Sequence, residues 1–167
     1  NRKVYESCDG CPSGQYGDIV GAANVNAGCK QCIAGRFSNE VKQSIYSDAA
    51  DDGVMCEWCP AGKWSNEEGK THESMCKNCV AGKYSEKPAS NSETNCKPCI
   101  PGRYLSTPGG DNLNLCIPCL VGQYNGESGQ TYCIKCESGQ YQNHPGADKC
   151  NECRPGKYRG ASDNRTV

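Results

Sequence analysis

The sequence has few large aliphatic residues and no long apolar run. Leucine, isoleucine, valine and phenylalanine together account for 19 of the 167 residues, which is too little apolar surface for a conventional core. No segment approaches the length of a membrane span, and the N-terminus lacks a methionine and the pattern of a signal peptide. We therefore expect a mature product or an excerpt. The 18 basic and 19 acidic residues are interspersed, which disfavours a nucleic-acid partner.

Residues suited to catalysis or to metal binding are scarce and dispersed. His72 and His144 lie in polar segments without a neighbouring nucleophile, and a lone surface histidine is usually solvated. The acidic groups around Asp51 and Asp111 do not match an EF-hand loop, and turn formation accounts for them more simply. We expect a non-enzymatic protein with no cofactor and no metal site.

Cysteine, by contrast, is abundant and regularly placed. All 16 cysteines belong to one phrase, C-x-x-C-x-x-G-x-aromatic, of which Cys76 to Tyr84 is an example. Such a period is typical of a repeat protein whose units pack on their neighbours. The phrase begins at Cys8, Cys29, Cys56, Cys76, Cys96, Cys116, Cys133 and Cys150. The predicted repeats 1 to 8 cover residues 1–28, 29–55, 56–75, 76–95, 96–115, 116–132, 133–149 and 150–167, the last being incomplete or continuing into a neighbour.

The predicted fold class is a small disulfide-rich repeat array, an elongated rod of about eight units with short β-hairpins and turns, little helix and no large core. The spacers between phrases are rich in Gly, Ser, Asn and Pro and lack a helical period, which favours turns between very short strands. Repeat 2 is the longest. Within it, Ser38 to Val54 has capping residues and apolar spacing suited to a short helix.

Two further positions of the phrase indicate how each unit is built. The glycine three places after the second cysteine suggests a turn with positive φ or a close backbone approach. The aromatic residue two places later is expected to cover the neighbouring disulfide, and the Gln, Arg or Lys between them is interpreted as solvated. The aromatic residues are Tyr16, Phe37, Trp64, Tyr84, Tyr104, Tyr124, Tyr141 and Tyr158.

The paired cysteines leave three chemical interpretations open. Several C-x-x-C pairs follow each other at the spacing of a zinc ribbon, and a redox bond within each pair is a third alternative. Irregular intervals, the scarcity of histidine and the polar composition favour structural disulfides over zinc. Disulfides in turn indicate an oxidising, extracellular compartment.

The phrases Cys56 to Ser65 and Cys96 to Tyr104 resemble the ephrin-receptor-like cysteine-rich repeats, which are similar to modules of tumour-necrosis-factor receptors. The resemblance extends from Cys8 to Tyr158. It implies that the second cysteine of one pair bonds the first cysteine of the next. The pairs implied are Cys11 with Cys29, Cys32 with Cys56, Cys59 with Cys76, Cys79 with Cys96, Cys99 with Cys116, Cys119 with Cys133, and Cys136 with Cys150.

This pairing leaves Cys8 and Cys153 without an intrachain partner, and both are candidates for bonds between units or chains. If another copy followed directly, Cys153 would precede the next Cys8 by 22 residues, within the 17 to 27 residues that separate successive phrases. We therefore expect one period of a longer array, joined covalently or by head-to-tail docking.

The function predicted is that of an extracellular structural protein, secreted or at the cell surface, forming part of a fibre, stalk or surface filament by self-association. The alternative is a receptor or adhesion ectodomain that binds a protein ligand. Possible glycans are predicted on the sequon at Asn164 and on Ser38, Ser65 and Ser85, the serines that follow an aromatic residue.

Overall fold

A computed structural model describes residues 10–17, 19, 22–39 and 56–160 of the chain. Its regular elements are all short. The strands are β1 Gln15–Gly17, β2 Cys29–Gln31, β3 Arg36–Phe37, β4 Glu57–Trp58, β5 Lys63–Trp64, β6 Lys77–Asn78, β7 Lys83–Tyr84, β8 Lys97–Pro98, β9 Arg103–Tyr104, β10 Ile117–Pro118, β11 Gln123–Tyr124, β12 Ile134–Lys135, β13 Gln140–Tyr141 and β14 Asn151–Glu152. The helical elements are α1, Val25–Gly28, and single 3-10 turns at Glu73–Met75, Glu93–Asn95 and Leu113–Leu115.

The strands form two-stranded antiparallel hairpins with a constant register. The two residues after the glycine of one phrase pair with the two residues between the cysteines of the next phrase. Tyr84 thus lies opposite Lys97 and Lys83 opposite Pro98. Equivalent registers occur in β1–β2, β3–β4, β9–β10, β11–β12 and β13–β14. The prediction of short β-hairpins with little helix is therefore confirmed.

A tight turn precedes the first strand of each hairpin. The N–H of Lys83 donates to the carbonyl of Val80 at 3.1 Å, and Gly82 between them has φ +84°. This is the geometry of a type II turn, whose third residue needs positive φ. The equivalent glycine of every phrase has φ between +79° and +84°, as the sequence predicts.

The described chain divides into two compact units. The first comprises the described parts of Asn1–Pro60 with Trp64–Lys77 and Pro88–Glu93. It contains the disulfides Cys11–Cys29, Cys32–Cys56 and Cys59–Cys76. Phe37 packs in its core with Cys59 and Cys76. Half-cystines thus take the place of aliphatic side chains in this core.

The second unit comprises Ala61–Lys63, Asn78–Lys87 and the described part of Thr94–Val167. Its small core consists of Tyr84, Leu105 and the half-cystines Cys99 and Cys116. The expectation that the aromatic residue covers the next disulfide is met by Tyr84 here and by Phe37 in the first unit. Its disulfides are Cys79–Cys96, Cys99–Cys116, Cys119–Cys133 and Cys136–Cys150.

The seven disulfides are the sequential pairs that the resemblance implies. The short helix predicted between Ser38 and Val54 lies almost wholly outside the described residues. The sequence analysis missed α1, which Asn24 caps by accepting a hydrogen bond from the N–H of Ala27 at 3.0 Å. None of the helices in the described ranges has the length and apolarity that crossing a membrane requires.

Candidate functional site: the repeat junction

Consecutive repeats are joined by backbone hydrogen bonds as well as by disulfides. The N–H of the second cysteine donates to the carbonyl of the preceding phrase's glycine, as Cys99 does to Gly82 at 2.8 Å. This bond occurs at seven junctions with lengths of 2.8 to 2.9 Å. At six of these junctions the N–H of the same glycine also donates to a carbonyl of the following phrase, that of the residue directly after its aromatic residue. Gly82 donates in this way to Leu105, which follows Tyr104. The junction is thus specified by main-chain groups.

The spacers of repeats 3 to 7 add a second pair of contacts. The N–H of Gly109 donates to the carbonyl of Cys79, and the N–H of Ser85 donates to the carbonyl of Gly110, at 2.8 and 2.9 Å. Five successive spacers, from repeat 3 to repeat 7, make both kinds of bond. The spacers are therefore ordered parts of the junction.

The phrase glycine also contacts the spacer of the repeat two places ahead. A Cβ added at Gly35 would lie 2.8 Å from the carbonyl carbon of Ala89, and one added at Gly82 would lie 2.6 Å from that of Gly129. Real Cβ atoms do not approach backbone this closely. Sequence reasoning anticipated a close approach but could not identify the partner segment.

The residue after the aromatic is a core position that sequence reasoning missed. Ser38, Ser65 and Ser85 are 0%, 1% and 2% exposed. The hydroxyl of Ser65 donates to the carbonyl of Glu67 at 3.2 Å, and that of Ser85 donates to the carbonyl of Lys87 at 3.4 Å. The repeated placement of a small or polar residue directly after the aromatic was the available signal.

The expected O-glycosylation of Ser38, Ser65 and Ser85 stays a prediction, although all three serines are buried in the folded chain. A sugar on a buried hydroxyl would have to displace the neighbouring repeat, so the folded chain disfavours these three acceptor sites. The sequon asparagine, Asn164, lies outside the described residues.

Repeats 5 to 7 place larger side chains at the same buried position. Leu105 packs in the apolar core. Asn125 instead forms two hydrogen bonds: its Nδ2 donates to the carbonyl of Arg103 at 2.8 Å, and its Oδ1 accepts from the N–H of Glu127 at 3.2 Å. Gln142 is satisfied in the same manner, with its Oε1 accepting from the N–H of His144 at 3.0 Å. A polar side chain at this position therefore closes its own turn.

Cations lie against both tryptophans of the first unit. The guanidinium carbon of Arg36 is 5.4 Å from the ring centre of Trp58, and Nζ of Lys77 is 5.0 Å from that of Trp64.

The carboxylate of Glu67 accepts a hydrogen bond from Lys70 at 2.7 Å and lies 3.5 Å from Nζ of Lys77. The hydrogen bond from Lys70, its charge and that of Lys77 lower the pKa of the Glu67 carboxyl.

The remaining candidate residues are not brought together. The ring of His72 forms a hydrogen bond with the side chain of its neighbour Thr71 at 2.9 Å, and His144 is exposed. Asp111 accepts from the amide of Asn112, while Asp51 lies outside the described residues. Within the described part of the chain, no group of three or more His, Cys, Asp or Glu side chains has the arrangement of a metal site.

Cys153 is the free thiol of the described chain and is partly exposed. Its N–H donates to the carbonyl of Gly139 at 2.8 Å, the same bond that the other second cysteines of the described chain make. Cys8, the other cysteine expected to lack an intrachain partner, lies outside the described residues.

Comparison with known protein families matches one part of the chain. Residues 102–153 match the family model described as tyrosine-protein kinase ephrin type A/B receptor-like. The matched segment includes the junctions at Cys119, Cys136 and Cys153. No curated protein matches the chain.

Proposed function

We propose that the chain is a non-enzymatic, extracellular structural array; the match of residues 102–153 to the ephrin-receptor-like family model supports the extracellular location. It forms part of a fibre, stalk or surface filament and associates with further copies of itself. The observation that carries the proposal is the equivalence of the junctions: seven share the same cysteine-to-glycine hydrogen bond at nearly one length. A structural array needs such uniformity, whereas a binding protein needs one unit to differ.

The covalent ladder supplies the stability that an array of this composition needs. The seven disulfides close loops whose ends are 14 to 24 residues apart. In the chain-entropy model each such loop stabilises the fold by about 3 kcal/mol, although the terms do not simply add. Disulfides of this kind persist outside the cytosol, which is the reason for the extracellular assignment.

The test is the assembly state of the chain isolated from its source without reductant. Sedimentation velocity should find species at integer multiples of the chain mass, and negative-stain electron microscopy of the same sample should find one repeating assembly. The matched control is the same sample treated with a phosphine reductant. A sample that is entirely monomeric before reduction would overturn the proposal.

A receptor or adhesion ectodomain is the second candidate, and the exposed side of repeat 3 favours it. Trp58 is 53% exposed although the Arg36 guanidinium stacks on it. Exposed aromatic and arginine side chains are enriched where protein ligands bind. In a cell-binding assay with labelled chain, Trp58→Ala should abolish capture under this alternative, while Leu120→Ala, a change at an even more exposed apolar residue of another repeat, should not.

A further inference from the structure

Repeat 3 differs from the other repeats at the second position between its two cysteines. This position holds Trp58, which is 53% exposed. In the other phrases the same position holds glycine, proline or a polar or charged residue, as at Gln31 and Lys135. A single exposed apolar side chain does not by itself indicate a binding site. The surroundings of Trp58 do, because they fix its backbone and place a cation against its ring.

The backbone of Trp58 is held on both sides. Cys56 and Cys59, which flank the segment, are bonded to Cys32 and Cys76. The N–H of Cys59 also donates to the carbonyl of Gly35 at 2.9 Å. The indole therefore projects from a cross-linked hairpin, and a ligand that binds it need not order the chain first.

Arg36 supplies a positive charge on the same face of this hairpin. Arg36 lies opposite Trp58 in the register of β3 and β4, and its guanidinium carbon is 5.4 Å from the ring centre. Glu57 is paired with Phe37 instead, so it belongs to the other face, because successive residues of a strand point to opposite sides. Among the described residues, none of the ion pairs involves Arg36. This face thus combines an exposed indole with a cation that no described carboxylate neutralises.

We propose that Trp58 and Arg36 bind an acidic oligosaccharide. A pyranose ring of the sugar lies against the indole, and a carboxylate or sulfate of the sugar lies on the guanidinium. The indole offers an apolar face and one N–H donor, which match the C–H groups and the hydroxyls of a sugar ring. The planar guanidinium donates parallel hydrogen bonds to the oxygens of such an anion.

The polar surroundings of Trp58 favour a sugar over a protein surface. A protein hot spot lies at the centre of a well-packed patch from which neighbouring contacts exclude water. The strand neighbours of Trp58 are instead the charged residues Arg36 and Glu57, and Glu57 is exposed. A lone ring among charged groups suits a ligand that is itself hydroxylated and charged. This inference goes beyond the structural array, and it gives Trp58 a different ligand from the protein of the receptor alternative.

The first experiment uses the fluorescence of Trp58 itself. The chain has two tryptophans, and Trp64→Phe leaves Trp58 as the one indole, with phenylalanine as at the equivalent Phe37 of repeat 2. The whole chain carrying Trp64→Phe is titrated with a heparin octasaccharide and, separately, with a hyaluronan octasaccharide. We expect a saturable change in emission. Binding of heparin alone would identify sulfate as the required anion, whereas binding of both would show that a carboxylate suffices.

The control for this titration is the reverse variant. Trp58→Gln retains Trp64 and places at residue 58 the side chain that Gln31 has in repeat 2. It should show no change in emission and no heat of binding by calorimetry. If neither sugar binds the Trp64→Phe chain, the inference is wrong. If neither sugar binds and cells still capture the chain through Trp58, the site takes a protein.

A second pair of variants separates the site from general attraction between charges. Glutamine occurs naturally at the position of Arg36 in other phrases, as at Gln123, so Arg36→Gln is compatible with the fold. It should weaken binding of the octasaccharide about tenfold, because a charge-assisted pair of hydrogen bonds is lost.

Arg103→Gln is the matched control for Arg36→Gln. It removes the same charge at the equivalent position, where Pro118 is the cross-strand neighbour and the guanidinium donates to the carbonyl of Cys116. Screening by salt should keep its effect below about twofold. Equal weakening by the two changes would overturn the inference, as would equally tight binding of polyglutamate, an anionic polymer without sugar rings.

Failure of these experiments is distinguishable from failure of the proposed function. The site lies within one hairpin, so binding of the sugar does not require a second copy of the chain. A multimeric native sample that binds neither octasaccharide would leave the array intact and refute the site. A monomeric sample that binds the sugar through Trp58 and Arg36 would refute the array and support the site.

Discussion

The glycine of the phrase serves two purposes, and substitution by alanine at two equivalent positions separates them. Gly82 and Gly139 occupy the same place in their phrases and have φ +84° and +81°. An added Cβ would lie 2.6 Å from the carbonyl carbon of Gly129 in the first case and would meet no described atom within 4 Å in the second. Gly82→Ala therefore tests backbone conformation and close approach together, whereas Gly139→Ala tests conformation alone.

The expected magnitudes follow from these two costs. A left-handed conformation costs an alanine about 1 to 2 kcal/mol, and the lower entropy of the unfolded alanine chain offsets about 0.4 to 1 kcal/mol of this. Gly139→Ala should therefore lower the free energy of unfolding by about 1 kcal/mol. Overpacking adds about 1 to 3 kcal/mol. Gly82→Ala should lose about 2 to 4 kcal/mol, because a backbone carbonyl cannot rotate away as a side chain can.

Gly109→Ala provides an intermediate control. Gly109 has φ +79°, but an added Cβ would lie 3.4 Å from the side chain of Asn78, which can move. Its cost should fall close to that of Gly139→Ala.

Native-state hydrogen exchange under non-reducing conditions is the appropriate assay, because a repeat array can lose stability locally without unfolding as a whole. The amide of Cys99 donates to the carbonyl of residue 82, and the amide of residue 82 donates to the carbonyl of Leu105, so the protection of these two amides should fall most in Gly82→Ala. Equal losses of protection around Gly82 and Gly139 would refute the role assigned to the close approach.

Three further outcomes test other parts of the structure. Ala89 is the non-glycine residue with positive φ among those described, at +57°, so Ala89→Gly should raise the free energy of unfolding by about 0.5 to 1 kcal/mol in denaturant titrations; a loss of stability would contradict the assignment. Asn125→Ala removes two hydrogen bonds from a buried site and should cost about 2 kcal/mol by the same titrations, whereas exposed Asn66→Ala should cost less than about 0.5 kcal/mol. Lys70→Met should raise the pKa of Glu67 in a carboxyl-detected NMR titration, and an unchanged pKa would refute the contact. Because the pKa of Glu67 is depressed in the folded chain, the small stabilisation from this contact is present above the unfolded pKa. It is lost as the pH falls through the folded pKa.

The covalent pattern and the hairpins could be predicted from the sequence because both repeat with the phrase. Once a family of cysteine-rich repeats was recognised at Cys56 and Cys96, the sequential pairing followed, and it placed the middle residues of one phrase beside the aromatic of the previous one. The type II turn was equally accessible, since a glycine at a fixed offset from the second cysteine indicates positive φ.

Contacts between non-consecutive repeats could not be predicted in the same way. The approach of Gly35 to Ala89 depends on how repeats are rotated about one another, and no local pattern encodes that rotation. Ser38 and Ser65 were predicted as glycan acceptors from their place after an aromatic residue, and their burial was not anticipated. Their burial is tolerated because each hydroxyl has a hydrogen-bonding partner, which the structure supplies and composition does not reveal.

Because main-chain groups form the junction, its buried positions accept different side chains. Ser85, Leu105 and Asn125 differ in size and polarity, yet they occupy equivalent buried positions in consecutive repeats. Side-chain complementarity therefore contributes little to the choice of neighbour, because nearly any residue that fills the space or satisfies its own polar atoms is accepted. The glycine carbonyl and the cysteine N–H are present in every phrase, so the same pair of main-chain groups joins each described repeat to the next whatever side chain fills the buried position.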